Sequence, residues 1–109
     1  MSTKPLNFSD LGGPVYVGRD RGEAARVKWK LDDADARDER FVVTIPDGTF
    51  SINSSFFLGL FGKSIKKAGS REAFLSRYQF VGEARFREKI DEAIERALFE
   101  GKTLLLKET

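Results

Sequence analysis

The stretch Ile-Asn-Ser-Ser-Phe-Phe-Leu-Gly-Leu-Phe-Gly-Lys-Ser-Ile-Lys-Lys-Ala, residues 52–68, reads as a loop that turns into a helix. Asn53, Ser54 and Ser55 are residue types that cap helices, because their side-chain oxygens accept the first free backbone N–H groups. Gly69 suits the left-handed position at which helices end. Behind the cap, residues recur at helical spacing and predict one stripe facing a core. The stripe consists of Phe57, Leu60, Phe61, Ser64, Ile65 and Ala68.

A short β-branched run, Phe41–Ile45, precedes this stretch and is typical of a buried strand. The strand leads toward two hydroxyl groups, those of Ser54 and Ser55, at a helix N-terminus. The positive end of the helix dipole lies there and would tolerate a phosphate on a serine. This layout makes the N-terminal end of the helix the first candidate for function.

Composition predicts one domain spanning residues 1–109, with a core of modest size. The 40% hydrophobic content, which includes ten Phe, argues against disorder. No apolar run approaches the roughly 20 residues that span a bilayer. The first residues, Met1–Pro5, lack the apolar segment of a signal peptide. We therefore expect a cytoplasmic protein without a membrane segment.

The absence of Cys and His removes several chemistries. Disulfides, thiolate catalysis, Cys-based zinc sites and Ser-His triads are excluded. Ser64 has lysines nearby, but no motif supports catalysis by them. The charged run 32–40 is expected to be a solvated loop or the tail of a helix. It lacks the glycine and the spacing of a calcium loop, so no metal site is expected there. We expect no enzyme activity, metal or cofactor.

The remaining patterns complete an α/β chain in which strands alternate with helices. Strands are predicted at Pro5–Phe8, Val15–Val17, Phe41–Ile45 and Phe74–Val81, with a short last strand at Leu104–Leu106. Helices are predicted from Asp20 to Leu31, after the serines, and from Glu83 to Glu100. The first two strands are expected to form a hairpin, and right-handed crossovers to make the central connections parallel. The predicted architecture is a mixed sheet of about four to five strands with helices packed on it.

Two helices carry finer predictions. In the first, Asp20 is the expected N-cap of a capping box with Glu23, and the buried residues are expected to be Ala24, Val27 and Leu31. Arg26 is assigned to a polar side of that helix. In the helix after the serines, Gly59 and Gly62 each cost roughly 1 kcal/mol relative to Ala, so something is expected to approach closely there. The sheet, a neighbouring helix or a partner protein could do so.

The serine loop carries a family resemblance. Ile52–Ser55, followed by Gly62 and Lys63, resembles the Asp-Ser-Ser-Gly switch loop of STAS domains, the fold of bacterial anti-sigma-factor antagonists. A closer resemblance is to the STAS-like family of the DUF4325 type, which shows a strand, a Ser-Ser-Phe helix start with Leu-Phe-Gly, a later strand and a long helix. The matching stretches are Phe41–Ile45, Ser54–Gly62, Tyr78–Val81 and the helix from Glu83, with Gly18–Gly22 also similar.

The resemblance implies a function for the loop. In anti-sigma-factor antagonists a partner kinase, an ATPase of the histidine-kinase type, phosphorylates the second serine of the pair, which is Ser55 here, with Ser54 as its neighbour. The chain departs from that pattern at two positions. Asn53 stands where those proteins have Asp, and Phe56 stands where they have Gly. The alternative is that the two serines only cap the helix.

Three functions remain open. The first is a regulatory module that docks a histidine-kinase-like ATPase through Asn53–Ser55 and the following helix. Its oligomeric state is left open. Its candidate contact residues are Asn53, Phe56, Leu58, Gly59 and Lys63, and an exposed Phe56 or Leu58 would favour it. The second is nucleic-acid binding, which interleaved acidic residues and a net charge of only +2 do not favour. The third is a structural interaction subunit without a switch.

Overall fold

A computed structural model of the protein describes residues 3–13, 15–47, 49 and 51–107, with the backbone alone described for residues 102–107. The elements are, in chain order, β1 (Thr3–Asn7), a 3-10 helix (Phe8–Leu11), β2 (Val15–Tyr16), α1 (Arg19–Lys28), α2 (Leu31–Ala36), β3 (Arg40–Thr44), β4 (Ser51–Ile52), α3 (Ser54–Ala68), α4 (Arg71–Arg77), β5 (Tyr78–Val81) and α5 (Ala84–Lys107). The predicted α/β class is confirmed.

The described strands form two parallel sheets. One has the order β1-β3-β5, and the other pairs β2 with β4. Pairing of Phe41 with Tyr78 confirms the predicted parallel arrangement of the central strands. The predicted N-terminal hairpin is wrong, because β1 pairs with β3 and β2 pairs with β4, each through a crossover rather than a tight turn. Sheets of three and two strands replace the single mixed sheet that was expected.

The sheet of β1, β3 and β5 is covered by helices on one face. Side chains on that face, such as Val43 and Tyr78, are buried, and Phe80 packs its ring against Phe57 and Phe61. The opposite face carries residues that are not buried: Pro5, Val42, Thr44, Gln79 and Val81. The core therefore lies between this sheet and α3, with α1 and α5 packed against α3 from its other sides.

Helix α3 buries the predicted stripe and several further residues. Most stripe residues are buried, with Ala68 partly so, and Gly69 ends the helix in the left-handed conformation at φ 84°. Phe56, Leu58, Gly59 and Gly62 are buried as well. Because α1 and α5 both pack on it, α3 is buried on most of its circumference, and only Lys63 and Lys67 are exposed.

The approach of α1 to α3 takes place at two glycines. A Cβ atom on Gly22 would lie 2.1 Å from the carbonyl oxygen of Phe56, and one on Gly59 would lie 2.1 Å from that of Arg19. The expected close neighbour at Gly59 is therefore helix α1. At Gly62 a Cβ would make only ordinary contact with the Leu58 side chain, at 3.6 Å.

Helix α1 differs from its prediction in both ends and face. Gly18, at φ 94°, precedes the helix and Asp20 lies inside it, so no capping box forms. Lys30, in the left-handed conformation, separates α1 from α2. The buried face consists of Gly22, Ala25 and Arg26, because the glycine contact turns that side toward α3. Ala24 and Val27, which were expected in the core, are exposed, whereas Leu31 is buried and opens α2.

The C-terminal third contains more helix than predicted. Residues Arg71–Arg77 form α4, capped by Ser70, whose side chain accepts a hydrogen bond from the Ala73 N–H. The predicted strand from Phe74 is thus reduced to β5. Helix α5 continues through Gly101 and includes the predicted strand Leu104–Leu106. The apolar residues at helical spacing in the sequence predict the buried face of this helix: Phe86, Ile90, Ala93, Ile94 and Ala97 are buried, and Leu98 is partly buried. Within the described part of the chain, no helix combines the length and apolarity needed to cross a membrane.

Candidate functional site

The cap of α3 is Asn53. Its Oδ1 accepts hydrogen bonds from the N–H of Phe56 at 2.9 Å and from the N–H of Gly18 at 3.3 Å. The first bond satisfies a free donor of the helix, and the second ties the start of α3 to the entry of α1. Asn53 therefore fixes the position of the two serines relative to both helices.

Ser54 and Ser55 lie in the first turn of α3 and are partly exposed. The Oγ of Ser54 lies 3.3 Å from Nη1 of Arg96 on α5, which donates a hydrogen bond to it. Among the described residues, none bonds to the hydroxyl of Ser55. Since Asn53 provides the cap, the interpretation that the two serines only cap the helix is wrong. Both hydroxyl groups stand at the positive end of α3 beside solvent.

A groove between α1 and α3 brings three of the candidate contact residues together. Leu58, Gly59 and Lys63 line it, and its volume is about 250 Å³. The other lining residues are Arg19, Glu23, Arg26, Val27, Asp32, Gly62 and Lys66. Ser55 precedes Gly59 by four residues and therefore lies one turn away on the same side of α3. Ser55 itself does not line the groove.

Most charged side chains at the groove pair with a neighbour of opposite charge. Arg19 lies 3.6 Å from Glu100, and Lys66 lies 3.2 Å from the same carboxylate. Asp32 accepts from Arg26 at 2.9 Å. Lys63 is exposed, and no acidic side chain of the described residues pairs with it. Lys63 is thus the groove cation that is available to an incoming molecule.

Two candidate contact residues have buried side chains. Phe56 is 1% exposed and packs against Phe8 and Tyr16, with ring centroids 5.7 and 5.5 Å away. Leu58 is 2% exposed and forms part of the groove floor. Neither is the exposed apolar anchor that was considered. The groove surface that a partner would meet is mixed, with the exposed Val27 beside charged side chains.

A buried polar network, which the sequence did not indicate, includes Arg26 of the groove lining. Asp35, expected in a solvated loop or a helix tail, lies in α2 with a 3% exposed side chain. Its carboxylate accepts from Arg26 at 2.9 Å, from Tyr78 at 2.6 Å and from Ser64. Arg26 also donates to Ser64 and to the Leu60 carbonyl. The network therefore joins α1, α2, α3 and β5.

The contacts of the network make it a structural element. Burial, together with the hydrogen bond to Asp35, raises the pKa of Tyr78 far above its usual value, so its hydroxyl stays protonated and donates. Arg77 adds a contact to Asp35 at 3.4 Å. One residue in the sequence could have indicated this network. Ser64 places a hydroxyl inside an apolar stripe, and a buried hydroxyl requires a hydrogen-bond partner.

Nucleic-acid binding would use the cations Arg19, Arg21, Arg26, Lys28 and Lys30, or Lys63, Lys66 and Lys67. Four of them, Arg19, Arg26, Lys63 and Lys66, line the groove, and all of these but Lys63 pair with an acidic side chain of the described residues. Arg26 is buried, Arg21 donates to the carbonyl of Val15, and Lys28 donates to that of Asp10. Lys67 donates to the carbonyl of Asp35. These side chains are spread over separate contacts with their own chain.

No family model, curated protein or solved structure matches the chain.

The cap makes a testable contribution to stability. We expect Asn53→Ala to lower the free energy of unfolding by about 1–2 kcal/mol, because the free N–H groups of Phe56 and Gly18 lose their acceptor. Ser54→Ala is the matched control and should change it by less than about 0.5 kcal/mol, since its hydroxyl makes one exposed contact. Urea unfolding followed by circular dichroism measures both. Equal losses would contradict the assignment of the cap.

Proposed function

We propose that the protein is a regulatory interaction module that docks a histidine-kinase-like ATPase, or a similar regulator, through the N-terminal end of α3 and the adjoining groove. The observation that carries this proposal is the spacing of three candidate residues along α3. Ser55, Gly59 and Lys63 follow one another along the same side of α3, and the last two line the groove. The order of β3, α3, β5 and α5 supports a STAS-like fold, with helices packed on one face of a parallel sheet.

The surface suits an interface that combines apolar and charged contacts. Phe56 is buried and contributes only through packing, while Gly62 adds no side chain to the groove floor. Lys63 provides an unpaired positive charge at the rim. A partner that offers an acidic side chain to Lys63 would therefore match this surface in charge.

Phosphorylation of Ser55 is the proposed switch. A phosphate adds about −1.5 to −2 charges at the start of α3. The helix dipole favours that charge, so the fold should tolerate the modification. The phosphate would lie about two turns of α3 away from Lys63. It would repel a partner whose acidic group faces Lys63, and it would have to be desolvated in the interface. Phosphorylation should thus release the partner without unfolding the module.

The test is recovery of the partner from lysate of the source cells on the immobilised protein. We expect the parent protein and Ser55→Ala to recover the same ATPase, and Ser55→Asp to recover at least about tenfold less, because it carries the added charge. Lys63→Glu should lower recovery as well. Circular dichroism checks that each variant is folded.

Other outcomes have defined meanings. Equal recovery by Ser55→Asp and Ser55→Ala, with loss for Lys63→Glu, would contradict the switch and leave a docking subunit without one. Equal recovery by all variants would contradict docking at this surface. Mass spectrometry of the protein isolated from the same cells would locate phosphate on Ser54 or Ser55, if either carries it.

A further inference from the structure

A second groove lies beside β5, between this strand and the helices α4 and α5. A cavity of about 240 Å³ opens there, and it shares none of its lining residues with the groove of α1 and α3. Its lining consists of Arg71, Leu75, Tyr78, Gln79, Phe80, Arg87, Ile90 and Asp91. A smaller depression continues along β5 toward Gly82 and again includes Phe80, Arg87 and Ile90. The groove thus has β5 on one side and the first turns of α5 on the other.

Strand β5 is an edge strand of the described sheet. The Ile45 N–H donates to the Val81 carbonyl at 2.8 Å, so Val81 directs its backbone groups toward the β3 side. Because successive residues alternate in direction, the N–H and C=O of Phe80 point toward the outer edge. The Tyr78 N–H is already satisfied by the Phe74 carbonyl. Phe80 therefore offers one donor and one acceptor beside the cavity.

The two edges of the sheet differ in their protection against pairing. Edge strand β1 contains Pro5, which has no N–H, and Lys4, whose ammonium group binds Glu39 at 2.7 Å. Proline and lysine on an edge are common devices that prevent strand addition. Strand β5, Tyr-Gln-Phe-Val, has neither. It is the edge of this sheet that an additional strand could join.

The groove beside β5 combines an apolar floor with positive charge. Leu75, Phe80 and Ile90 supply apolar surface. Arg71 pairs with Asp91 at 2.7 Å, whereas Arg87 is exposed and forms no ion pair with a described side chain. The residues that line the cavity of about 240 Å³ have a net charge of +1, and Glu83 of the smaller depression pairs with Arg85 at 3.0 Å. An occupant with apolar and acidic side chains is complementary to this groove.

We propose that β5 binds an extended acidic peptide segment of a partner protein by strand addition. Its backbone pairs with Phe80, an apolar side chain enters the groove between β5 and α5, and a carboxylate meets Arg87. A second copy of the chain fits less well. Antiparallel pairing of two β5 edges would bring the arginines of both copies close together, and these like charges would repel one another. This inference does not depend on docking at α3.

The test uses a fluorescein-labelled, terminally blocked six-residue peptide of alternating valine and glutamate. Fluorescence anisotropy should show saturable binding, and Arg87→Glu should weaken it at least about tenfold. Lys89→Glu is the matched control, since it makes the same charge change two residues along and nearly opposite on α5. It should change the dissociation constant by less than about twofold.

Two further peptides separate strand addition from other binding modes. A valine–lysine peptide should bind at least about tenfold more weakly. A valine–glutamate peptide N-methylated at alternate residues, made in both registers, should lose binding in one register, because one set of N–H groups faces β5. If the methylated and unmethylated glutamate peptides bound equally, the site would recognise their anionic side chains and not their backbone. That result would overturn the proposal. So would absence of binding, insensitivity to Arg87→Glu, or a dimer that the peptide dissociates.

Discussion

Replacement of Asp35 by alanine is expected to lower the free energy of unfolding by about 3–5 kcal/mol, because it leaves the buried guanidinium of Arg26 without its buried counter-ion. Arg26 is 6% exposed, and Asp35 is the buried one of the two carboxylates that contact it at 2.8 and 2.9 Å. The hydroxyls of Ser64 and Tyr78 lose an acceptor at the same time. Urea unfolding followed by Trp29 fluorescence and circular dichroism measures the change.

The same arginine provides the control for this prediction. Asp32 also contacts Arg26, at 2.8 Å, but its side chain is 70% exposed. We expect Asp32→Ala to cost less than about 1 kcal/mol, because exposed ion pairs contribute little. A double variant, Arg26→Met with Asp35→Leu, should be more stable than Asp35→Ala alone, since no buried charge is left unpaired. If Asp35→Ala and Asp32→Ala lowered the free energy of unfolding by similar amounts, the account in which the buried Asp35 stabilises the fold through Arg26 would be contradicted.

Gly59→Ala is expected to lower the free energy of unfolding by about 2–3 kcal/mol, because the new methyl group has no space between α3 and α1. Its position would be 2.1 Å from the carbonyl oxygen of Arg19, which is backbone and can yield only if the helix moves. Gly22→Ala meets the Phe56 carbonyl at the same distance and should behave alike. Thermal and urea unfolding measure both variants.

Gly62→Ala should have the opposite sign. The added methyl group would make ordinary contact with Leu58, at 3.6 Å, inside the same helix. We therefore expect it to stabilise the protein by up to about 1 kcal/mol through the higher helix propensity of alanine. If Gly59→Ala and Gly62→Ala gave equal changes, the close approach of α1 at Gly59 would be contradicted.

The elements that could be predicted are those specified by local periodicity. Helix α3 and the buried face of α5 follow from apolar residues at helical spacing. Gly69 marked the end of α3, and the alternation of strands with helices correctly indicated that β3 and β5 are parallel. In these segments local preference and tertiary packing agree, so a window of the sequence carries enough information.

The differences occur where distant residues decide the outcome. Arg26 was assigned to a polar side, but it is buried because Asp35 and Ser64 neutralise and bond it. The apolar run from Phe74 to Val81 fits a strand or a buried helix by pattern alone, and the cap provided by Ser70 decides for helix in its first half. The partners of β1 and β2 lie beyond α1 and α2, which no local signal specifies.

The candidate site was located in part. Ser55, Gly59 and Lys63 were named from the serine loop, and the structure places them along one side of α3. The burial of Phe56 could not be foreseen, because the rings that cover it, those of Phe8 and Tyr16, come from the N-terminal segment. The groove itself depends on α1 and on the network around Asp35, both of which are tertiary features.

The most direct test of docking at α3 is photo-crosslinking in the source cells. A photoreactive phenylalanine analogue replaces Val27, which is 77% exposed at the groove, in one variant and Glu72, exposed on α4 beyond the far end of α3, in another. We predict that the Val27 position captures a histidine-kinase-like ATPase, that the Glu72 position does not, and that adding Ser55→Asp abolishes the capture. Capture of the same proteins from both positions, or of no ATPase from the Val27 position, would contradict the proposed function.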